Sequence, residues 1–178
     1  MFLEPGALSY LEDSRELVVE MTGTQVEDIP SGFFAGLSQA AHLSINLRNN
    51  SLLSLSPAAF YSNATSWEHM GTKLIAGGLL LHDNPWVCDC GLVWVGQWLR
   101  RWLRESLQLH TAPLDAAQHL VLTARAATCT DPQTDRQTPL LSLYPEDLRC
   151  HASALSRAPY WRYHSVTMTL VMVSLVIR

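Results

Sequence analysis

Seven histidines, four cysteines and sixteen aspartates and glutamates are the side chains of this chain that could ligate a metal or carry protons. His42, His69, His82, His110, His119, His151 and His164 are scattered. No pair has the i, i+4 spacing, and no H-E-x-x-H frame sets two imidazoles on one helix face. Serines are plentiful, yet no G-x-S-x-G elbow presents one as a nucleophile, and no glycine-rich loop is built to cradle phosphate. Arg100-Arg101 could be read as a nucleic-acid contact, but on a chain of formal net charge −4 it is more simply a solvated helix face. The expectation is a protein without catalytic residues, metal ligands or cofactor, and without nucleic acid among its partners.

The cysteines carry the remaining chemistry. Cys88, Cys90, Cys129 and Cys150 form an even set, which suggests two bridges and an oxidising compartment. Four cysteines allow three pairings, and Cys88 and Cys90, one residue apart, are poorly placed to bond each other. Zinc knuckles use C-x-x-C-like spacing, which a C-x-C with two distant single cysteines does not supply.

The elements that must position these groups follow from an internal repeat. Ile45, Leu47, Leu52, Leu55 and Phe60 fall on Val19, Met21, Val26, Ile29 and Phe34, twenty-six residues earlier, and every framework position is apolar in both copies. The spacing is L-x-L-x-x-N-x-L-x-x-L, with an aromatic five residues on. Two alternating apolar residues make a short strand with one face inward. The asparagine then turns the chain, its carboxamide able to bond backbone groups exposed at the turn. Thr24 holds the asparagine position in the first copy, and Glu16 and His42 hold the leading leucine position. Leu3, Leu8 and Leu11 align with Ile29, Phe34 and Leu37, the tail of a still earlier copy. One such unit cannot bury its apolar face alone, so stability requires stacked neighbours.

A third copy, Leu79-x-Leu81-x-x-Asn84, arrives late: Asn84 lies thirty-four residues after Asn50 rather than twenty-six. The extra length sits in Tyr61–Gly78, which holds the N-glycosylation triplet at Asn63; a second begins at Asn49.

From Asn84 the chain reads Asn84-Pro85-Trp86-Val87-Cys88-Asp89-Cys90-Gly91-Leu92-Val93-Trp94-Val95-Gly96-Gln97-Trp98-Leu99. Gly91, Trp94, Val95, Trp98, Leu99, Trp102 and Leu103 recur at spacings of three and four, an apolar stripe on a helix that begins at Asp89 or Cys90. Arg100, Arg101 and Arg104 are expected on the other side, near the helix C-terminus, where cations oppose the dipole. A solenoid ends in an exposed apolar layer that a polar or covalently braced cap must cover. This block resembles the cysteine-rich C-terminal cap of extracellular leucine-rich-repeat proteins, whose hallmark is N-P-W-x-C-D-C-x-L-x-x-L-x-x-W-L. Trp98–Arg104 and Tyr144–Cys150 resemble, more narrowly, chaoptin-like adhesion proteins. The resemblance implies bridges Cys88–Cys129 and Cys90–Cys150.

Composition agrees with a folded chain. At 178 residues there is room for one domain or a small domain with an appendage, and 48% hydrophobic against 16% charged residues excludes intrinsic disorder. A mean hydropathy of +0.06 is too low for a polytopic membrane protein. Met1-Phe2-Leu3-Glu4-Pro5-Gly6 is not a secretory signal, so an extracellular chain is expected to continue upstream, with this sequence a fragment. At the other end, Ser165–Ile177 is a run of thirteen apolar or small residues, short of the about twenty a spanning helix needs. Ala152-Ser153-Ala154, a ten-residue spacer and this tail match a glycolipid-anchor signal, with Ser153 the attachment residue. A truncated transmembrane helix and a buried C-terminal strand are the other readings.

The expected fold class is α/β: a leucine-rich-repeat solenoid of short parallel strands (residues 1–83), closed by a disulfide-bonded helical cap (84–151), with spacer and hydrophobic tail (152–178). The resemblance implies a non-catalytic recognition or cell-adhesion module at the extracellular face of the plasma membrane, binding a protein ligand or a homophilic partner on another cell. A soluble secreted scaffold or carrier, or the ectodomain end of a single-pass receptor, is the alternative. The variable strand positions Val18, Glu20, Ser44, Asn46, Leu80 and His82 are the candidate binding face.

Overall fold

The computed structural model describes residues 3–4, 8, 15–61, 67–109, 114–150 and 174–177. Asn63, Leu11, Ser153 and the spacer lie outside them.

Three short strands, β1 (Glu16–Glu20), β2 (His42–Asn46) and β3 (Gly78–Leu80), pair in parallel and in repeat register, Val19 beside Ile45 beside Leu79. Their alternation sends Leu17, Val19, Leu43, Ile45 and Leu79 into the core and Glu16, Glu20 and His42 to solvent. The framework residues of the two full copies are buried, Met21, Val26, Ile29 and Phe34 in one and Leu47, Leu52, Leu55 and Phe60 in the next; of the earlier copy's tail, Leu8 is buried and Leu3 partly so. The chain returns through 3-10 turns at Ala35–Gln39 and Pro57–Phe60. Ser56 begins the second, its hydroxyl accepting the Ala58 N–H at 3.2 Å, and Pro57 supplies a preset φ at the first position.

The extra length of the third repeat folds as helix α1 (Trp67–Gly77), which buries Met70, Leu74 and Ile75 against the sheet. It ends so close to β2 that a Cβ on Gly77 would overlap the Leu43 carbonyl, and Gly78 turns into β3 at φ +98°. The repeat spacing gives no sign of this helix. On the far side of β1 lies β7 (Ser174–Ile177), antiparallel, with Val19 opposite Leu175. Four residues of the apolar tail thus extend the sheet to the order β3-β2-β1-β7; among the described residues no helix is long and apolar enough to cross a membrane.

The cap is built on a second sheet: β4 (Trp86–Val87) runs parallel to β5 (Thr128–Thr130), which pairs antiparallel with β6 (Gln137–Pro139). Helix α2 (Val93–Leu109) follows a single 3-10 turn at Cys90–Leu92, started by Asp89, whose carboxylate accepts the Leu92 N–H at 3.1 Å. A further helix, α3 (Leu114–Ala126), buries Ala124 beside it. The apolar stripe of α2 holds at Val95, Trp98, Leu99 and Trp102, but not at Gly91, which is exposed. The tightly packed glycine is Gly96: a Cβ there would stand 2.5 Å from the Leu140 carbonyl oxygen.

Arg100 is likewise not on a solvated face. Its Nη1 donates to the carbonyls of Leu141 (2.7 Å) and Leu143 (3.2 Å), and its guanidinium lies 4.1 Å from the centre of the Tyr144 ring. The segment after β6 has no strand partner for those carbonyls, so a long side chain from α2 satisfies them. Arg101 faces outward as expected and pairs with Glu105 one turn on, at 2.7 Å.

Candidate functional site

The strands set out a small two-dimensional array on the sheet face turned away from the core. Register places Glu16 beside His42, Val18 beside Ser44 and Gly78, and Glu20 beside Asn46 and Leu80. Backbone bonds from Gly23 N–H to Arg48 O and from Asn49 N–H to His82 O carry the pairing one row further, so Thr22, Arg48 and His82 lie side by side. Of the six residues expected on the binding face, Glu20 is exposed and Val18, Ser44, Leu80 and His82 are partly so. His82 Nδ1 meets the Asp83 carboxylate at 2.7 Å.

Asn46 is different. It is only 3% exposed, and its Oδ1 accepts both the backbone N–H of Arg48 (3.3 Å) and the Arg48 Nε–H (2.8 Å). Asn46 is therefore a support rather than a contact, and the side chain presented at that place is Arg48, which is absent from the face expected on sequence. The available signal was its position: two residues beyond Asn46, it continues the strand alternation past the last ladder residue. Along the face the charge is uneven, with the carboxylates Glu16 and Glu20 on β1 and the cation Arg48 beyond the end of β2.

Beneath the face, asparagines bind the repeats to one another. Asn50 Oδ1 accepts from the Thr24 N–H, the Thr24 hydroxyl and the Val26 N–H, while its Nδ2 donates to the carbonyls of Met21, Leu47 and Arg48. Asn84 repeats the pattern one layer on, toward Leu47, Leu81 and His82, and accepts from Leu52 N–H. Rings form a parallel ladder: Phe34 stacks on Phe60 at 5.1 Å, and Phe60 meets Trp94 edge-on at 5.6 Å. Trp94 stands ten residues after Asn84, as Phe60 does after Asn50 and Phe34 after Thr24, so the first tryptophan of the cap helix is also the ring of the third repeat.

Two bridges brace the cap. Cys88 is bonded to Cys129, with Cα atoms 5.0 Å apart, and Cys90 to Cys150, at 5.7 Å. Between them sits Asp89, whose carboxyl burial pushes above the ordinary aspartate range, against the downward pull of the Gly91 and Leu92 N–H groups. In the turn after β5, Asp131 is held below that range by the Gln133 N–H and the Thr134 hydroxyl. No group of three or more metal-ligating side chains occurs among the described residues. Asn49, the first residue of its glycosylation triplet, is exposed at the turn beside this face, at φ 55°.

No family model matches the chain. It is 30% identical over 150 residues to trophoblast glycoprotein of Mus musculus and 28% identical over 149 to that of Macaca fascicularis, covering 75% of this chain in each case. The chain spans 31% of the length of either relative. Among solved structures, similarity is found to a chain of the octameric complex of latrophilin 3, Unc5D and FLRT2 (LRR), at 24% identity and TM-score 0.40, covering 71% of this chain and 30% of that one. Human 5T4, a trophoblast glycoprotein, gives 20% identity and TM-score 0.40, covering 70% and 43%. The similarity is to trophoblast glycoprotein and not specifically to chaoptin-like proteins. The chain is thus an α/β fold of stacked parallel-strand repeats joined by an asparagine ladder, similar in sequence to trophoblast glycoprotein over three quarters of its own length.

Proposed function

We propose that this chain is a non-catalytic extracellular recognition module that binds a protein partner through the outward face of its repeat sheet. The observation that carries the reading is the division of labour within each strand. Inward residues and asparagines are consumed by the fold, while Glu16, Val18, Glu20, His42, Ser44 and Leu80 are left at least partly in solvent with no structural task that burial would reveal. A polar rim around small apolar contacts suits protein recognition. Similarity to a glycoprotein and the two disulfides support an extracellular setting.

Cell adhesion, through a protein ligand or a homophilic partner on another cell, is the finer proposal, with glycans at Asn49 and Asn63 and membrane attachment through residues 152–178. Pairing of Ser174–Ile177 with β1 and use of the same residues as a lipid-anchor tail exclude each other in one molecule. Phosphatidylinositol-specific phospholipase C on cells displaying the protein separates the cases. Release into the medium supports attachment at Ser153, retention points to a spanning segment, and recovery from untreated medium with the tail intact points to the soluble scaffold. For the face itself, Ser44→Trp, which fills the centre of the array, should abolish cell aggregation by the displayed protein. Unchanged aggregation removes this face as the site.

A further inference from the structure

Arg48 is set up unlike any other cation on this face. Its backbone N–H and its Nε–H both end on one acceptor, the Oδ1 of a buried asparagine. A guanidinium tethered at Nε has lost much of its rotamer freedom before any partner arrives, and its two terminal amino groups remain as a planar fork. Among the described residues no carboxylate pairs with it: the ion pairs there are His82–Asp83 and Arg101–Glu105. Glu20, in the adjacent row, does not bond it either, and Asp83 is engaged by His82. The fork is thus pre-oriented, and no carboxylate of the described residues meets it.

We infer that Arg48 is the anchor of the recognition face for a carboxylate side chain of a protein partner, and that Asn46 is its positioning residue. This rests on the face being the binding surface. The occupant is a segment whose aspartate or glutamate meets the Arg48 fork while neighbouring apolar residues cover Leu80 in the adjacent row and Val18 one row further, both only partly exposed. Glu16 and Glu20 on β1 repel a second carboxylate there, so the same partner places neutral or cationic groups over β1. Arginine is among the residue types enriched at binding hot spots, and this one is tethered before a partner arrives.

The probe is a short synthetic peptide of leucine and threonine with one central glutamate, with a twin carrying glutamine for that glutamate, titrated against the full disulfide-bonded chain. The wild type should bind the acidic peptide at least tenfold more tightly than its twin. Arg48→Gln should erase that preference and Arg48→Lys should keep only part of it, because an ammonium lacks the fork. Asn46→Ala should weaken it severalfold while also exposing the Arg48 Nε–H, read by NMR as faster solvent exchange of its signal. Equal binding of the two peptides by the wild type, no binding, or a preference that survives Arg48→Gln overturns the assignment. Ser44→Trp tells the two claims apart. If it abolishes binding of both peptides while Arg48→Gln changes neither, the face stands and the arginine anchor falls. If peptide binding is untouched by Ser44→Trp, the face itself falls.

Discussion

The hydroxyl of Thr24 lies 2.9 Å from Oδ1 of Asn50, twenty-six residues away, and donates to it. One repeat lacks the asparagine and the next reaches across to supply it. The carboxamide of Asn50 thereby binds backbone groups of two layers at once, both as acceptor and as donor.

That arrangement predicts a hierarchy of substitutions. Asn50→Ala leaves several partly buried N–H and C=O groups unmatched and should cost about 3 kcal/mol, since each such group carries a penalty of about 1–3 kcal/mol before water relieves it. Asn50→Asp should be worse, because it turns a donor into an anion facing the carbonyls of Met21 and Leu47. Urea unfolding of the two variants measures the order, and an aspartate variant more stable than the alanine one contradicts it.

Trp94 joins the cap to the repeats by its edge contact with Phe60 and by an N–H donated to the Leu55 carbonyl at 2.8 Å. Trp94→Phe keeps an aromatic ring and loses the donor, for a cost of about 1 kcal/mol. Trp94→Ala empties the site and should cost about 3 kcal/mol. Similar melting temperatures for the two variants would mean that the ring ladder carries no coupling across the repeat–cap junction.

Asp89 makes stability depend on pH in a direction that can be checked. Its carboxyl titrates above the ordinary aspartate value in the folded chain. Folding therefore favours the protonated form: this group's contribution is present below about pH 4 and is lost as pH rises through the raised native value. An asparagine at this position would keep a helix-starting acceptor without a buried charge. Asp89→Asn should therefore be at least as stable as wild type at neutral pH, with the difference vanishing near about pH 4. Asp89→Ala loses the cap as well and should cost about 1 kcal/mol. Thermal melts from acid to mildly basic pH separate these outcomes.

The bridges close loops spanning 41 and 60 residues, each worth about 4 kcal/mol on the chain-entropy account. Cys129→Ser should expose the apolar stripe of α2 and cause retention or aggregation. Non-reduced peptide mapping of the secreted chain should recover Cys88 with Cys129 and Cys90 with Cys150; free thiols at all four positions would remove the extracellular reading.

Much of this molecule is legible along the chain because burial in a repeat depends on spacing alone. Val19, Ile45 and Leu79 have to point inward once the strands stack, and Asn50 and Asn84 have to turn the chain where the apolar pattern breaks. The cap is legible at Trp86, Cys88, Asp89 and Cys90 for the same local reason. What spacing does not tell is which atom meets which across layers. Strand alternation alone sets Asn46 on the outward face; the chain places Arg48 over it, and only that tertiary bond leaves Asn46 buried as its acceptor. Helix periodicity alone sets Arg100 in solvent beside Arg101; carbonyls without partners, more than forty residues on, draw it inward. Hydropathy alone describes the tail, and it measures an aversion to water and not its remedy. A sheet edge at β1 offers open backbone N–H and C=O groups, and the pairing of Ser174–Ile177 with it belongs to the tertiary structure alone.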